Sequence, residues 1–246
     1  MKVEPTIQSI DRAARILSSF TVSNPRLSLN DLTRSLGTTK ATAHRYTMAL
    51  REAKLLRYSE RDTLFSLGPQ VLTLASAARA GMPIIEAATP LMLELVHELG
   101  NTVVLSVWDG RTAVVVHTEE SNDSVVQIGV RTGARLELEH SAQGRVFCAY
   151  LDPVQEPRVR DALAHSPELR EQIDEVRARG VAINSMTLTG VRVIAAPVVT
   201  GERLLAALAV VGTASSVPED HGSHMAIRLH EVADLIAAGM PAGTRS

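Results

Sequence analysis

Ser28-Leu29-Asn30-Asp31-Leu32-Thr33-Arg34-Ser35-Leu36-Gly37-Thr38-Thr39-Lys40-Ala41-Thr42-Ala43-His44-Arg45-Tyr46 carries two helix starts and one helix stop within nineteen residues. Ser28 followed by Asp31 is a capping-box pattern, in which each side chain satisfies the other residue's free backbone N–H. Leu29, Leu32 and Leu36 recur at helical steps, and Gly37 supplies the left-handed residue that ends a helix. Thr38 or Thr39 then caps a second helix that runs to about Ala53, with Ala43, Tyr46, Leu50 and Ala53 on its inner face. Two helices across a short glycine turn are a helix-turn-helix. Upstream, Ile10, Ala13, Ala14, Leu17 and Phe20 predict another packed helix between Ile7 and Phe20. Downstream, Leu55 to Tyr58 and Leu64 to Gly68 flank a polar turn from Ser59 to Thr63, which predicts a hairpin with Arg57 and Arg61 near its tip.

The outward residues of this unit are chemically uniform. Lys40, Thr42, His44, Arg45 and Arg51 are cationic or hydrogen-bonding, the types that read base edges and hold phosphates. With the capping residues Thr38 and Thr39 and the hairpin residues Arg57 and Arg61, they form the candidate nucleic-acid face. Charge distribution agrees. Residues 1 to 80 hold twelve Lys and Arg against six Asp and Glu, a net of +6, while the remaining 166 residues hold thirteen against twenty-one, a net of −8. Such a reversal predicts a polyanion-binding module joined to one that avoids polyanions.

Composition narrows the rest. With 246 residues, 45% apolar and 21% charged, the chain has the makeup of an ordinary globular protein of one or two domains. No run of about 18 apolar residues occurs, and the N-terminus leads into an amphipathic segment, so a membrane span and export are not expected and a cytoplasmic location is. The single cysteine, Cys148, excludes an internal disulfide and a CxxC pair. HExxH, GxSxG and P-loop motifs are absent from the sequence. His117 with Glu119, and His221 with His224, are two-residue constellations too small to predict a metal site. Neither metal nor cofactor is expected. A small-molecule enzyme with an appended winged helix is the alternative class, and no catalytic motif supports it.

Beyond residue 68 the pattern is mixed. A helix with broad apolar coverage (Val71, Leu72, Leu74, Ala75, Ala78) follows Gly68-Pro69 and stops before Gly81-Met82-Pro83, which suits contact with a second subunit. Pro83 and Pro90 frame a further helix ending at Gly100. Thr102 to Trp108 and Thr112 to His117, separated by Asp109-Gly110, predict a hairpin. Strands are also expected over 125–130, 191–200 and 203–212, and helices over 142–151, 156–164, 168–179 and 218–238. This is an α+β domain with a mainly antiparallel sheet.

In order along the chain, Ser9-Ile10-Asp11-Arg12-Ala13, Leu27-Ser28-Leu29 to Gly37, Lys40-Ala41-Thr42-Ala43-His44-Arg45, Phe65-Ser66-Leu67-Gly68, Ser141-Ala142-Gln143-Gly144-Arg145, Gly190-Val191-Arg192 and Ile194-Ala195-Ala196-Pro197-Val198 resemble the IclR family of bacterial transcriptional regulators. Ala41 stands where that family usually has Ser. The resemblance implies a winged helix-turn-helix over 1–67, a linker helix over 68–82 and a GAF-like effector-binding and oligomerisation domain over 83–246. It also implies a homodimer or dimer of dimers on double-stranded DNA, repressor or activator, under control of a small-molecule effector. At the sheet positions that carry polar groups in oxyacid-binding members, this chain matches Asn184, Val193, Ala209 and Val211. Three of the four are apolar, which predicts an apolar or aromatic effector in place of a small acid. Trp108, Arg135, His140, Ala142 and Gln143 are the remaining candidates to line or anchor it.

Overall fold

The computed structural model describes residues 7–121, 128–184 and 190–240. The chain divides into two compact units at the Gly81/Met82 junction.

The first unit begins with α1 (Gln8–Ser18), β1 (Leu27–Ser28), α2 (Leu29–Leu36) and α3 (Lys40–Glu52). It continues with β2 (Leu56–Ser59), β3 (Leu64–Leu67) and α4 (Pro69–Ala80). The capping box at Ser28 and Asp31 forms, and the hydrogen bonds from the Ser28 hydroxyl and backbone N–H hold the Asp31 carboxyl below its usual range. Gly37 ends α2 in the left-handed conformation at φ 60°. Thr39, rather than Thr38, caps α3 by accepting from the Thr42 backbone N–H. Ile16, Phe20, Leu32, Leu36, Ala43, Leu50, Leu56 and Phe65 build the core. The predicted stripe of α1 is rotated in the structure: Ile16 is fully buried, whereas Ile10 is 63% exposed and Ala14 is exposed. Ala53 is likewise exposed, and Thr47 occupies the buried face of α3. β2 and β3 form the expected hairpin, and β1 adds a third strand to it, in the order β1-β3-β2.

The second unit contains α5 (Pro83–Leu99), β4 (Thr102–Trp108), β5 (Ala113–Glu119) and β6 (Arg135–Leu136). After these come α6 (Ala142–Tyr150), α7 (Pro157–His165), α8 (Pro167–Arg179) and β7 (Ala182–Asn184). The unit closes with β8 (Val191–Thr200), β9 (Arg203–Thr213) and α9 (His224–Ala238). The sheet is antiparallel throughout, in the order β6-β5-β4-β9-β8-β7. Alternation along the strands separates two faces. Val103, Leu105, Ile194, Ala196, Leu208 and Val210 pack under α5 and α9. Ala195, Ala207 and Ala209 pack under α6 and α8, and Val104, Val115 and Val211 continue that second face toward Ile128, Val130 and Ala134.

Three local expectations differ. Pro90 lies inside α5 rather than at its end; Pro83 occupies the tolerated first turn, while Pro90 cannot donate to the preceding turn. The Thr89 hydroxyl donates to the Ile85 carbonyl at 2.7 Å in the same stretch. The strand expected over 125–130 lies partly outside the described residues, and Ile128 to Val130 are not in a strand. The last helix starts at His224, because Ser223 caps it through the Ala226 N–H.

Candidate nucleic-acid interface and ligand-binding face

On α3 the residues facing away from the core are Lys40, Ala41, His44, Arg45, Met48 and Ala49, all exposed. Thr42 is half-buried and its hydroxyl accepts from that of Thr39 at 3.0 Å, so these two predicted contacts also serve the helix start. Two concavities flank the helix. Ser28, Asn30, Lys40, His44, Met48, Arg51, Tyr58 and Thr63 border the first, where α2, α3 and the hairpin meet. Arg45, Met48, Lys54, Arg57, Tyr58 and Pro69 border the second. Lys40 and His44 therefore share one groove, and Arg45 and Arg57 the other. Arg61 borders neither and stands exposed in the hairpin turn. Arg45 lies 5.8 Å from the Tyr46 ring centroid and Arg51 5.2 Å from that of Tyr58, contacts that steady both side chains. At the far end of the hairpin, Arg26 pairs with Asp62 at 2.7 Å. Asn30 and Lys54 enter this surface only through the fold, since neither is on α3.

In the second unit the predicted effector residues separate into two groups. Ala142, Gln143, Asn184, Ala209 and Val211 are buried, and Val193 and Trp108 half-buried, around the α6-facing side of the sheet. Arg135 and His140 instead border an outer cleft of about 560 Å³ between the 135–140 segment and α7, with Arg111, Arg158, Asp161 and His165. Arg135 is paired there with Asp109 at 2.9 Å. The Asn184 side-chain amide donates to the His140 carbonyl, and Arg145 donates from Nη1 to the Ile183 carbonyl at 3.0 Å and from Nε to the Glu139 carbonyl at 3.3 Å. Together they tie β7 to the segment that precedes α6. Burial lowers the pKa of the Arg145 guanidinium below its usual value.

Gly144 explains how α6 comes so close. A Cβ there would run into the Glu137 carbonyl and the Leu138 backbone, so only glycine lets the helix sit against that segment. The Ser141 side chain caps α6 through the Gly144 N–H at 2.9 Å. Beneath the helix, Trp108 stacks obliquely on Phe147 with ring centroids 5.7 Å apart. Ser106, fully buried on the same face of β4, was missed from the sequence because a lone serine in a β-branched strand has no local signature.

The thiol of Cys148 is buried, and burial pushes its pKa up to about 12, far from a thiolate nucleophile. His117 Nε2 lies 2.8 Å from a Glu119 oxygen and 3.2 Å from the Thr89 hydroxyl. Among the described residues no three His, Cys, Asp or Glu side chains converge as a metal site, and no single helix is long and apolar enough to cross a membrane.

The comparisons with known proteins cover both units. The IclR helix-turn-helix domain matches residues 9–60, and the domain described as bacterial transcriptional regulator IclR C-terminal matches residues 76–238. The regulator XynR of Escherichia coli K12 is 26% identical over 227 residues, covering 87% of this chain and 90% of its own length. The glycerol operon regulatory protein of Streptomyces coelicolor is 28% identical over 78% of this chain and 79% of its own. Among solved structures, an IclR regulator from Silicibacter sp. TM1040 superposes with a TM-score of 0.82 at 27% identity, covering 94% of this chain and 95% of that one. An IclR homologue from Microbacterium hydrocarbonoxydans, solved with 4-hydroxybenzoate, shares the fold with a TM-score of 0.73 at 20% identity, covering 94% and 98%. A helix-turn-helix unit joined to an antiparallel α+β unit, matched in order across the chain, leads to one conclusion: this protein belongs to the IclR family of bacterial transcriptional regulators.

Proposed function

We propose that residues 1–67 bind duplex DNA, that 68–82 are the linker helix, and that 83–246 sense a small apolar or aromatic effector which alters operator affinity. The observation that carries the DNA reading is the exposed face of α3 beside the hairpin, with Lys40, His44, Arg45, Arg51 and Arg57 around two adjoining grooves. Thr39 and Thr42 position the start of the helix, and Arg61 adds charge at the hairpin turn. A basic helix face with a basic wing matches the groove-and-phosphate requirements of duplex recognition.

The effector reading is supported by the α6-facing side of the sheet, where Ala195, Ala207, Ala209, Val193 and Val211 offer apolar surface. A small oxyanion such as glyoxylate would lose hydration there against a mostly apolar lining. An IclR homologue of the same fold, from Microbacterium hydrocarbonoxydans, was captured with 4-hydroxybenzoate, an aromatic ring that carries a carboxylate. Homodimerisation is supported by α4, none of whose residues is buried although Leu72 and Leu74 are 72% and 52% exposed.

Calorimetry of the full chain with glyoxylate and with neutral aromatic compounds, each followed by an operator-binding assay, tests this function. Binding of the aromatic class with a negative heat-capacity change and a shift in operator affinity is expected. Preferential binding of glyoxylate overturns the effector class.

A further inference from the structure

The geometry points to Ser106 and Trp108, neighbours on the α6-facing side of β4, as the polar anchor of the effector site, selecting an uncharged aromatic ligand that carries an oxygen acceptor. This inference rests on the effector reading above and specifies its chemistry.

The Ser106 hydroxyl oxygen and the Trp108 indole nitrogen are both buried, and neither has a hydrogen-bond partner among the described residues. Buried polar groups are nearly always paired, so two unpaired groups at positions i and i+2 of one strand call for an explanation. Strand geometry places their attachment points about 7 Å apart on the same face. Ser106 stands opposite Ala207 of β9 and Val115 of β5, and Trp108 opposite Ala113. Those neighbours belong to the two apolar clusters of the α6-facing side: Ala113 and Ala207 lie with Phe147 under α6, and Val115 lies with Val104 toward Ile128 and Val130. Ser106 thus sits where the two clusters adjoin, opposite Ala207 and diagonal to Ala209, which pairs with Val104.

The pairing of β4 with β5 shifts register between Leu105 and Ser106, and no described residue pairs with the hydroxyl there. Alanine is already the residue at 113, 195, 207 and 209 around it, and an alanine at 106 would remove an unsatisfied group. The hydroxyl therefore costs stability without a return among the described residues, and a partner from outside supplies one. The indole N–H only donates, whereas the hydroxyl donates or accepts, so the ligand must present an acceptor to Trp108. Both anchors are neutral. Arg145, a buried cation of this unit, spends its Nε and Nη1 donors on the Glu139 and Ile183 carbonyls. Those carbonyls are neutral and leave its charge in place, but the two anchors themselves supply none, which favours a carbonyl, ether or hydroxyl oxygen on an apolar ring.

The test compares acetophenone, its non-accepting analogue ethylbenzene, and benzoate, each titrated into the full chain by calorimetry. Trp108 is the sole tryptophan, so the nitrogen-15 spectrum contains one indole N–H signal, which reports directly on this group. Expected are saturable acetophenone binding about tenfold tighter than that of ethylbenzene, weaker binding of benzoate, and a downfield shift of the indole signal with acetophenone only. Ser106→Ala should lower acetophenone affinity about tenfold, leave ethylbenzene unchanged, and raise the melting midpoint by about 2 to 4 °C. Trp108→Phe, which keeps the ring beside Phe147 and deletes the N–H, should have the same selective effect on acetophenone. If both aromatics bind equally and both variants bind like the wild type, the anchor is overturned while the apolar effector site stands. If neither aromatic binds, the effector reading falls and the anchor with it. Tighter binding of benzoate, or a lower melting midpoint for Ser106→Ala, also overturns the anchor.

Discussion

Nη1 of Arg145 donates a 3.0 Å hydrogen bond to the carbonyl oxygen of Ile183, joining the first turns of α6 to the edge strand of the sheet. The guanidinium also reaches the Glu139 carbonyl and is only 8% exposed. Arg145→Ala removes both donors from a desolvated place and should destabilise the second unit by about 2 to 3 kcal/mol. Arg145→Lys should cost less. Urea unfolding followed by circular dichroism measures both, and a loss below about 0.5 kcal/mol for the alanine variant would show that the clamp is dispensable.

Gly144 tests how closely α6 must approach the 137–138 backbone. Since a Cβ at this position meets main-chain atoms that cannot rotate away, Gly144→Ala should destabilise by about 1 to 3 kcal/mol despite alanine's better helix propensity. A thermal melt reads the sign: a stabilised variant would mean that the segment moves aside freely.

On α3, Arg45→Ala should weaken operator binding by about 1 to 3 kcal/mol and relax preference at one base pair. Arg57→Ala and Lys54→Ala should instead weaken binding to all duplexes and reduce the salt slope by about one each. Fluorescence anisotropy across a salt series, on operator and scrambled duplexes, separates the two behaviours. Equal losses on both duplexes for Arg45→Ala would reassign it to the phosphate backbone.

The ion pair between α5 and α9 gives a pH dependence. Arg228 donates from Nε to Glu98 at 2.9 Å and from Nη2 at 3.1 Å, and these hydrogen bonds hold the Glu98 carboxyl below its usual range. A depressed carboxylate stabilises the fold above its unfolded pKa of about 4.3, and the contribution disappears as pH falls through the lower folded value. Both side chains are about one-third exposed, so solvent and salt reduce the effect. The urea midpoint of wild type should therefore drop more steeply below about pH 4.5 than that of Glu98→Gln. Parallel acid profiles would assign the loss to other carboxylates.

Local chemistry was sufficient for much of the first unit. The capping box at Ser28, the left-handed Gly37 and the threonine cap are interactions within four residues, so they read directly from the chain and recur in the structure. The Asp109-Gly110 turn is similar: the Asp109 carboxylate accepts from the Arg111 and Thr112 N–H groups, and Gly110 adopts φ 86°. Amphipathic spacing marked α1 as a packed helix but not which side of it meets the core, because Ile10 and Ile16 are equally apolar and only the neighbouring helices choose between them.

The sequence by itself determined the two-part charge division, the helix-turn-helix with its basic wing, and most of the helices and strands that follow, though not β6, because each depends on nearest-neighbour chemistry or on composition. Tertiary structure alone decided the strand order β6-β5-β4-β9-β8-β7, the addition of β1 to the wing, the parting of Arg135 and His140 from the buried sheet residues, and the use of Asn184 and Arg145 as ties to the segment before α6. It also decided that the Ser106 hydroxyl and the Trp108 indole nitrogen lie on one face without a partner among the described residues. Those relationships join residues from 2 to more than 100 positions apart, and whether a polar group finds a partner depends on what the rest of the folded chain brings to it.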